Sequence, residues 1–201
     1  MSLTPDFELG LWNAWILVLL MFLIVIGLSS LIIRLFFNST KNQESSKRHS
    51  TMPQLSEREK KLFYLSIVTL LATLIYSAFL PLKLSTSWFY SGLLVYSLGM
   101  IFGFIAMINF AIAPLNKPAT KGVYSISRNP MYFSMFLMFV GISVACASWL
   151  FLLLTIFWVI LSDRGVIAEE RFCLATYGNE YREYMNGTPR WIGIPKSEKR
   201  D

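Results

Sequence analysis

Long apolar stretches, rather than amphipathic spacing, dominate the chain. The first runs from Trp12 to Phe37, interrupted by Asn13 near its start and Arg34 near its end. Two more, Leu62 to Leu82 and Trp88 to Pro114, are each long enough to cross roughly 30 Å of hydrocarbon as helix. A double-length block, Met131 to Leu161, carries Ala145-Cys146-Ala147-Ser148 in its middle and reads as two short helices in a tight hairpin. Each half is near the lower limit for a full crossing, so a hairpin that stops short of the far leaflet stays open. The pattern predicts an all-α integral membrane protein of five transmembrane helices, the last two a hairpin over 130–163.

Polar segments divide the chain into three N-terminal spans (1–114), with a mixed-charge connector over 38–61, and a second region over 115–201. Within the connector, "SEREKK" predicts an N-cap at Ser56 with Glu59 three residues on, opening the second helix. Beyond the fifth span, Phe172, Tyr177, Tyr181 and Tyr184 recur at helical steps. They predict a C-terminal amphipathic helix over Ser162 to Trp191, lying against the membrane face.

Charge then sets an orientation. With five spans, every one of the 18 Lys and Arg except Lys83 falls on one side. That asymmetry puts the N-terminus outside and the C-terminus in the cytoplasm. The residues before Trp12 carry Asp6 and Glu8 but no basic residue, which is not the start of a cleaved signal peptide. A net charge of +6 then marks the cytoplasmic face and anionic headgroups, not nucleic acid. The chain suits a bacterial inner membrane, and an endoplasmic reticulum protein would look similar. Cys146 and Cys173 fall on opposite faces, cannot pair within one chain, and have no metal-site spacing around them. His49, the only histidine, lies in the polar connector, so neither a histidine base nor a histidine metal site is on offer.

Gly92, Gly99 and Gly103 put a small-residue stripe on one face of the third span, and Gly99-xxx-Gly103 has close-packing spacing. It serves either helix packing within the chain or a homodimer. Asn109, near the end of that span, should face protein or a wet pocket rather than lipid.

Chemistry concentrates in "GVYSISRNPMYFSM", Gly122 to Met135, between two apolar blocks. Pro130 suits the first turn of the fourth helix, with Asn129 as its N-cap. A helix start at the membrane surface offers free N–H groups and a positive dipole end. Arg128, Tyr124 and Tyr132 stand beside it, and Glu169 and Glu170 lie across the hairpin. Adjacent acids on a helix point about 100° apart, so the two cannot act as a dyad, and at most one faces a given pocket. Otherwise they form a solvated or salt-bridged pair with Arg164 or Arg171. The residues alone point to a zwitterionic small ligand, or to a plain helix start with a snorkelling Arg128.

Taken in order, "GVYSISRNPMY", a helical hairpin, "EE" and "YGNEYREYMNGTPRWIG" resemble the C-terminal half of the isoprenylcysteine carboxyl methyltransferase family. The Asn-Pro-x-Tyr at Asn129 to Tyr132 is similar to that of the related phospholipid N-methyltransferases. The resemblance covers roughly residues 116 to 191. It implies an S-adenosylmethionine pocket on the cytoplasmic side, shaped by Tyr124, Asn129, Pro130, Met131 and Tyr132. Glu169 is implied to reach a polar part of the cofactor, with Glu170 in support. The stretch before Gly-x-Tyr, Asn116, Lys117 and Ala119 included, is implied as a further cofactor contact, and Arg164 as the catalytic residue at the substrate end. The acceptor would be a membrane lipid or lipidated molecule methylated on a carboxylate, amine or thiol. Three positions depart from the pattern: Asn129 and Asn116 stand where the isoprenylcysteine branch has histidines, and Ser134 where a glycine is usual. Asparagine still donates and accepts hydrogen bonds but cannot titrate near neutrality. Two other classes stay open: an NADPH-dependent membrane lipid or sterol reductase, and a non-catalytic scaffold that keeps the fold.

Overall fold

The structure, a computed structural model, describes residues 8–28, 30, 31, 34, 55–114 and 116–193. Its helices are α1 (Trp15–Met21), prolonged as a wider π-helix over Phe22–Leu28, α2 (Glu57–Ser77), α3 (Ser87–Ile112), α4 (Pro130–Ala145), α5 (Trp149–Tyr177) and α6 (Asn179–Gly187). Of these, α2, α3 and α5 are long and apolar enough to cross a membrane, whereas Trp15–Leu28 and α4 are shorter apolar helices. The described residues are all-helical, and the three long apolar helices fit an integral membrane protein. The end of the first apolar run at Phe37, His49 and most of the 38–61 connector lie outside the described residues.

Local signals place several helix ends as expected. Ser56 caps α2 in a reciprocal box: Glu59 N donates to Ser56 Oγ at 3.4 Å, and Ser56 N donates to Glu59 Oε2 at 2.8 Å. The hairpin turns at the small-residue quartet, with α4 ending at Ala145 and α5 opening at Trp149. Ser148 Oγ accepts from Phe151 N at 3.3 Å, capping α5.

Two expectations are corrected. The second helix stops at Ser77, short of Leu82, because Pro81 has no N–H to continue it and the chain instead pairs with the start of α1. Ala14 N donates to Leu80 O at 2.9 Å and Leu82 N to Trp12 O at 3.0 Å. Nor is there one amphipathic helix over 162–191. Instead α5 continues unbroken past 163 to Tyr177, and Gly178, at φ 58, separates it from the short α6. That left-handed conformation suits glycine and ends a helix.

Asn13 joins α1 to the end of α2. It is 2% exposed, and its Nδ2 donates to Ala78 O at 2.8 Å and also to Glu8 O. Asn13→Ala strips those carbonyls of their buried donor and should cost about 1–3 kcal/mol. A lowered melting temperature in detergent checks this; a variant that melts with the wild type would show the junction to be dispensable.

The glycine stripe is used inside the chain. A methyl on Gly99 would come within 2.8 Å of Met138 N, and one on Gly103 within 2.9 Å of Ser134 Oγ. Gly92 abuts Ala145 and Gly141, and Gly141 in turn abuts the backbone of Tyr96. So α3 and α4 pack backbone to backbone, with Gly99 and Gly103 lying against α4. Ser134 fits where a glycine is usual because Gly103 faces it. Tyr96, 1% exposed, donates its hydroxyl to Leu17 O at 2.6 Å and ties α1 to this seam. Phe139, Phe151 and Trp158 fill the space between α4 and α5. The start of α4 therefore sits rigidly beside the polar second half of α5.

Candidate functional site

Two side-chain rungs join the first turn of α4 to one turn of α5. Pro130 opens α4, where its missing N–H costs nothing. Asn129 occupies the cap position, yet its side chain makes no capping bond. Its Nδ2 donates instead to Glu170 Oε1 at 3.2 Å and to Arg190 O at 3.3 Å. One turn on, Tyr132 OH donates to Glu169 Oε1 at 2.7 Å. The adjacent acids thus diverge as helix geometry demands. Glu170 turns inward and is 3% exposed, while Glu169 is half-buried and faces Tyr132.

The partners of Glu170 are not those expected. Arg171 reaches Glu59 at 2.8 Å, and Arg164 lies on another face. Arg190 Nε and Nη2 instead donate to Glu170 Oε2 at 3.1 and 3.0 Å, and Arg128 Nε lies 3.3 Å from Oε1. The Arg128 contact is an ion pair without hydrogen-bond alignment, since that N–H is otherwise unpartnered. The hydrogen bond to Glu170 pushes the Arg190 guanidinium above its usual range, fixing its charge. Arg128 also donates from Nη1 to Met185 O at 3.4 Å, so its charge is committed to the protein rather than free for an anion. Arg190 escaped notice in the sequence. The signal that could have found it is physical: a buried carboxylate needs a cation, and Arg164 and Arg171 project elsewhere on the same helix.

The loop before α4 is pinned from both sides. Gly122 to Ser125 form a 3-10 turn, and Gly122, at φ 66, lies so close to Asn109 that any side chain there would overlap it. Asn109 Nδ2 is buried with no hydrogen-bond partner. Tyr124 is buried against Phe110, with ring centroids 6.3 Å apart, and its carbonyl accepts from Tyr184 OH at 2.6 Å. Burial pushes the Tyr184 phenol up from its usual range.

The structure thus brings Asn129, Pro130, Tyr132, Glu169 and Glu170 together, with Tyr124 joined to them through α6. Met131 and Ala119 are half-buried, and Asn116 and Lys117 are exposed. Lys117 pairs with Glu180 at 3.6 Å. Arg164 is set apart: it lines a cavity of about 500 Å³ with Leu62, Ile160, Asp163 and Trp191, on the α2 side of α5. None of Tyr124, Tyr132 and Glu169 lines that cavity.

Fold and cluster define a helical membrane protein whose polar groups converge at the mouth of a helical hairpin. Residues 86–180 match the model of the phospholipid methyltransferase family. That stretch, from the cap of α3 into α6, is similar to the family, in line with the motifs around Asn129 and Glu169, and the likeness indicates a membrane methyltransferase. No curated protein matches the chain. The α1–α2 unit and residues 181–193, most of α6 included, lie outside the matched stretch.

Proposed function

We propose that the protein is an S-adenosylmethionine-dependent methyltransferase acting on a lipid-like or lipidated acceptor. The observation that carries this reading is the Tyr132–Glu169 rung at the mouth of α4, inside the stretch that matches the family.

The residues fit such a cofactor. It presents a carboxylate, an ammonium, a sulfonium, two ribose hydroxyls and a flat adenine. Glu169 Oε2 has no partner among the described residues and offers an acceptor for an ammonium or a hydroxyl. Asn109 Nδ2 offers an unused donor at the Gly122 turn. Tyr124, Pro130 and Met131 shape the wall, while Glu170 and Asn129 support Glu169 and Tyr132 from behind. Asn116, Lys117 and Ala119 lie on the approach to that wall.

Once bound, S-adenosylmethionine supplies an activated methyl group whose in-line transfer needs chiefly proximity and alignment. The chain's own part is therefore to orient and to exclude water. A carboxylate or thiolate acceptor needs no base here, whereas an ammonium must first lose its proton. The acyl or prenyl tail of the acceptor lies sideways in the bilayer, and Arg164, set apart on the α2 side of α5, is not where the methyl group is transferred. The Lys and Arg asymmetry supports five crossings, an outside N-terminus and a cytoplasmic site, in a bacterial inner membrane or endoplasmic reticulum.

Titrating S-adenosylhomocysteine and NADPH separately into the detergent-purified protein, by calorimetry, tests the reading. Saturable binding of S-adenosylhomocysteine alone is expected. Binding of NADPH alone would make the protein a reductase, and binding of neither to folded protein would make it a scaffold.

A further inference from the structure

After α6 the chain returns across the start of α4 as a strap. Arg128 N donates to Pro189 O at 3.0 Å, and Gly193 N donates to Ile126 O at 3.2 Å. Arg190 O accepts from Asn129 Nδ2 at 3.3 Å and from Ser127 Oγ at 3.5 Å. The Arg190 side chain meanwhile grips Glu170 and reaches Asp163, with Nη1 3.7 Å from Oδ1. One residue thus holds the loop before α4 through its backbone and α5 through its side chain.

We propose that Arg190 is a positioning residue for the cofactor site, setting the Tyr132–Glu169 rung through the Asn129–Glu170 rung behind it. The inference rests on the methyltransferase reading above, and Arg190 lies outside the residues that match the family. Asn129 and Tyr132 share one turn of α4, and Glu170 and Glu169 share one turn of α5, so the rungs cannot move independently. Any roll of α5 that frees Glu170 swings Glu169 through the same angle. The Glu170 side chain is 4% exposed, so its carboxylate has no solvent to fall back on and stays where its cations hold it. Arg128 serves Oε1 with poor alignment, while Arg190 serves Oε2 with two donors. The better-aligned grip is the one from the strap. A guanidinium fork makes that two-point hold, and an ammonium cannot reproduce it.

The test uses the full-length chain in detergent as wild type, Arg190→Gln, Arg190→Lys and, as a control, Arg171→Gln. Arg171 pairs with Glu59 at the start of α2 and has no part in the strap. Hydrogen exchange at the Arg128 and Gly193 amides reports on the strap, and S-adenosylhomocysteine affinity reports on the site. Arg190→Gln is expected to speed exchange at both amides and to weaken affinity about tenfold, the scale of outer-shell partners in other sites. Arg190→Lys should recover part of the affinity, and Arg171→Gln should match wild type in both readouts. Faster exchange with wild-type affinity in Arg190→Gln would overturn the inference and leave the strap merely structural. Unchanged exchange and affinity would overturn it as well. Should Arg190→Gln not fold, Arg190→Lys decides, and wild-type affinity in it overturns the inference. A wild type that binds no S-adenosylhomocysteine fells the methyltransferase reading itself, a failure distinct from these.

Discussion

Gly92→Leu is expected to leave the chain unable to close its α3–α4 seam, with a large loss of stability. A Cβ at Gly92 would meet Gly141 O at 2.5 Å and Ala145 Cα at 2.6 Å, both backbone atoms of the facing helix. A flexible side chain could move aside, but a helix backbone can yield only by shifting the whole of α4. Apolar lipid gives little drive to re-form a loosened contact, since separated helices already sit in an apolar medium. Overpacking ordinarily costs about 1–3 kcal/mol, and here no rotamer relieves it, so the upper end or beyond is expected. Gly187→Ala supplies the control, because nothing stands within 4 Å of that position. The measurement is thermal melting and monodispersity in mild detergent. A Gly92→Leu protein that elutes and melts like the control would mean that α3 and α4 are not packed through this face. The seam also carries the site, since α4 presents Asn129 and Tyr132 only while it is seated on α3.

Which parts of this were legible in the sequence follows from the range of the forces involved. The Ser56 box and the hairpin turn at Ala145 to Ser148 depend on neighbours a few residues away, and both stand where the pattern put them. The divergence of Glu169 and Glu170 was also readable, because it follows from helix geometry alone. The end of α2 was not: apolar composition runs on to Leu82, but pairing with Trp12 and Ala14 decides where the helix stops. The extent of α5 was misread for a related reason. Aromatic spacing after Ser162 looks amphipathic whether or not the helix breaks, and only the left-handed Gly178 fixes the break. Least legible was the partner of Glu170. Arg164 and Arg171 are near in sequence but project from other sides of α5, while Arg190 arrives on a strap whose path no local pattern encodes. Asn129 shows the same limit, a good cap residue whose side chain is turned instead to donate from Nδ2 to the buried Glu170.

Glu169→Gln is expected to weaken S-adenosylhomocysteine binding while leaving the fold intact, and Tyr132→Phe to do the same by a smaller margin. Glu169 is half-buried and holds one hydrogen bond, from Tyr132 at 2.7 Å, so one carboxylate oxygen remains for a ligand. Replacing the carboxylate with an amide removes its charge and turns one acceptor into a donor. A charge-assisted hydrogen bond is worth about 1.5–3 kcal/mol, or roughly ten- to a hundredfold in affinity. Tyr132→Phe keeps the carboxylate but frees it to rotate, so its cost is one of aim rather than of charge. The neighbouring acid carries the fold as well as the aim of Glu169. Glu170→Gln leaves Arg128 and Arg190 facing a neutral group in a buried place, which costs about 3–5 kcal/mol and should appear as a lowered melting temperature. Affinity by calorimetry and melting by circular dichroism, on all three variants in one detergent, distinguish the roles. Wild-type affinity in both Glu169→Gln and Tyr132→Phe would remove the site from the mouth of α4. Loss of folding in Glu169→Gln would make Glu169 a second structural anchor beside Glu170.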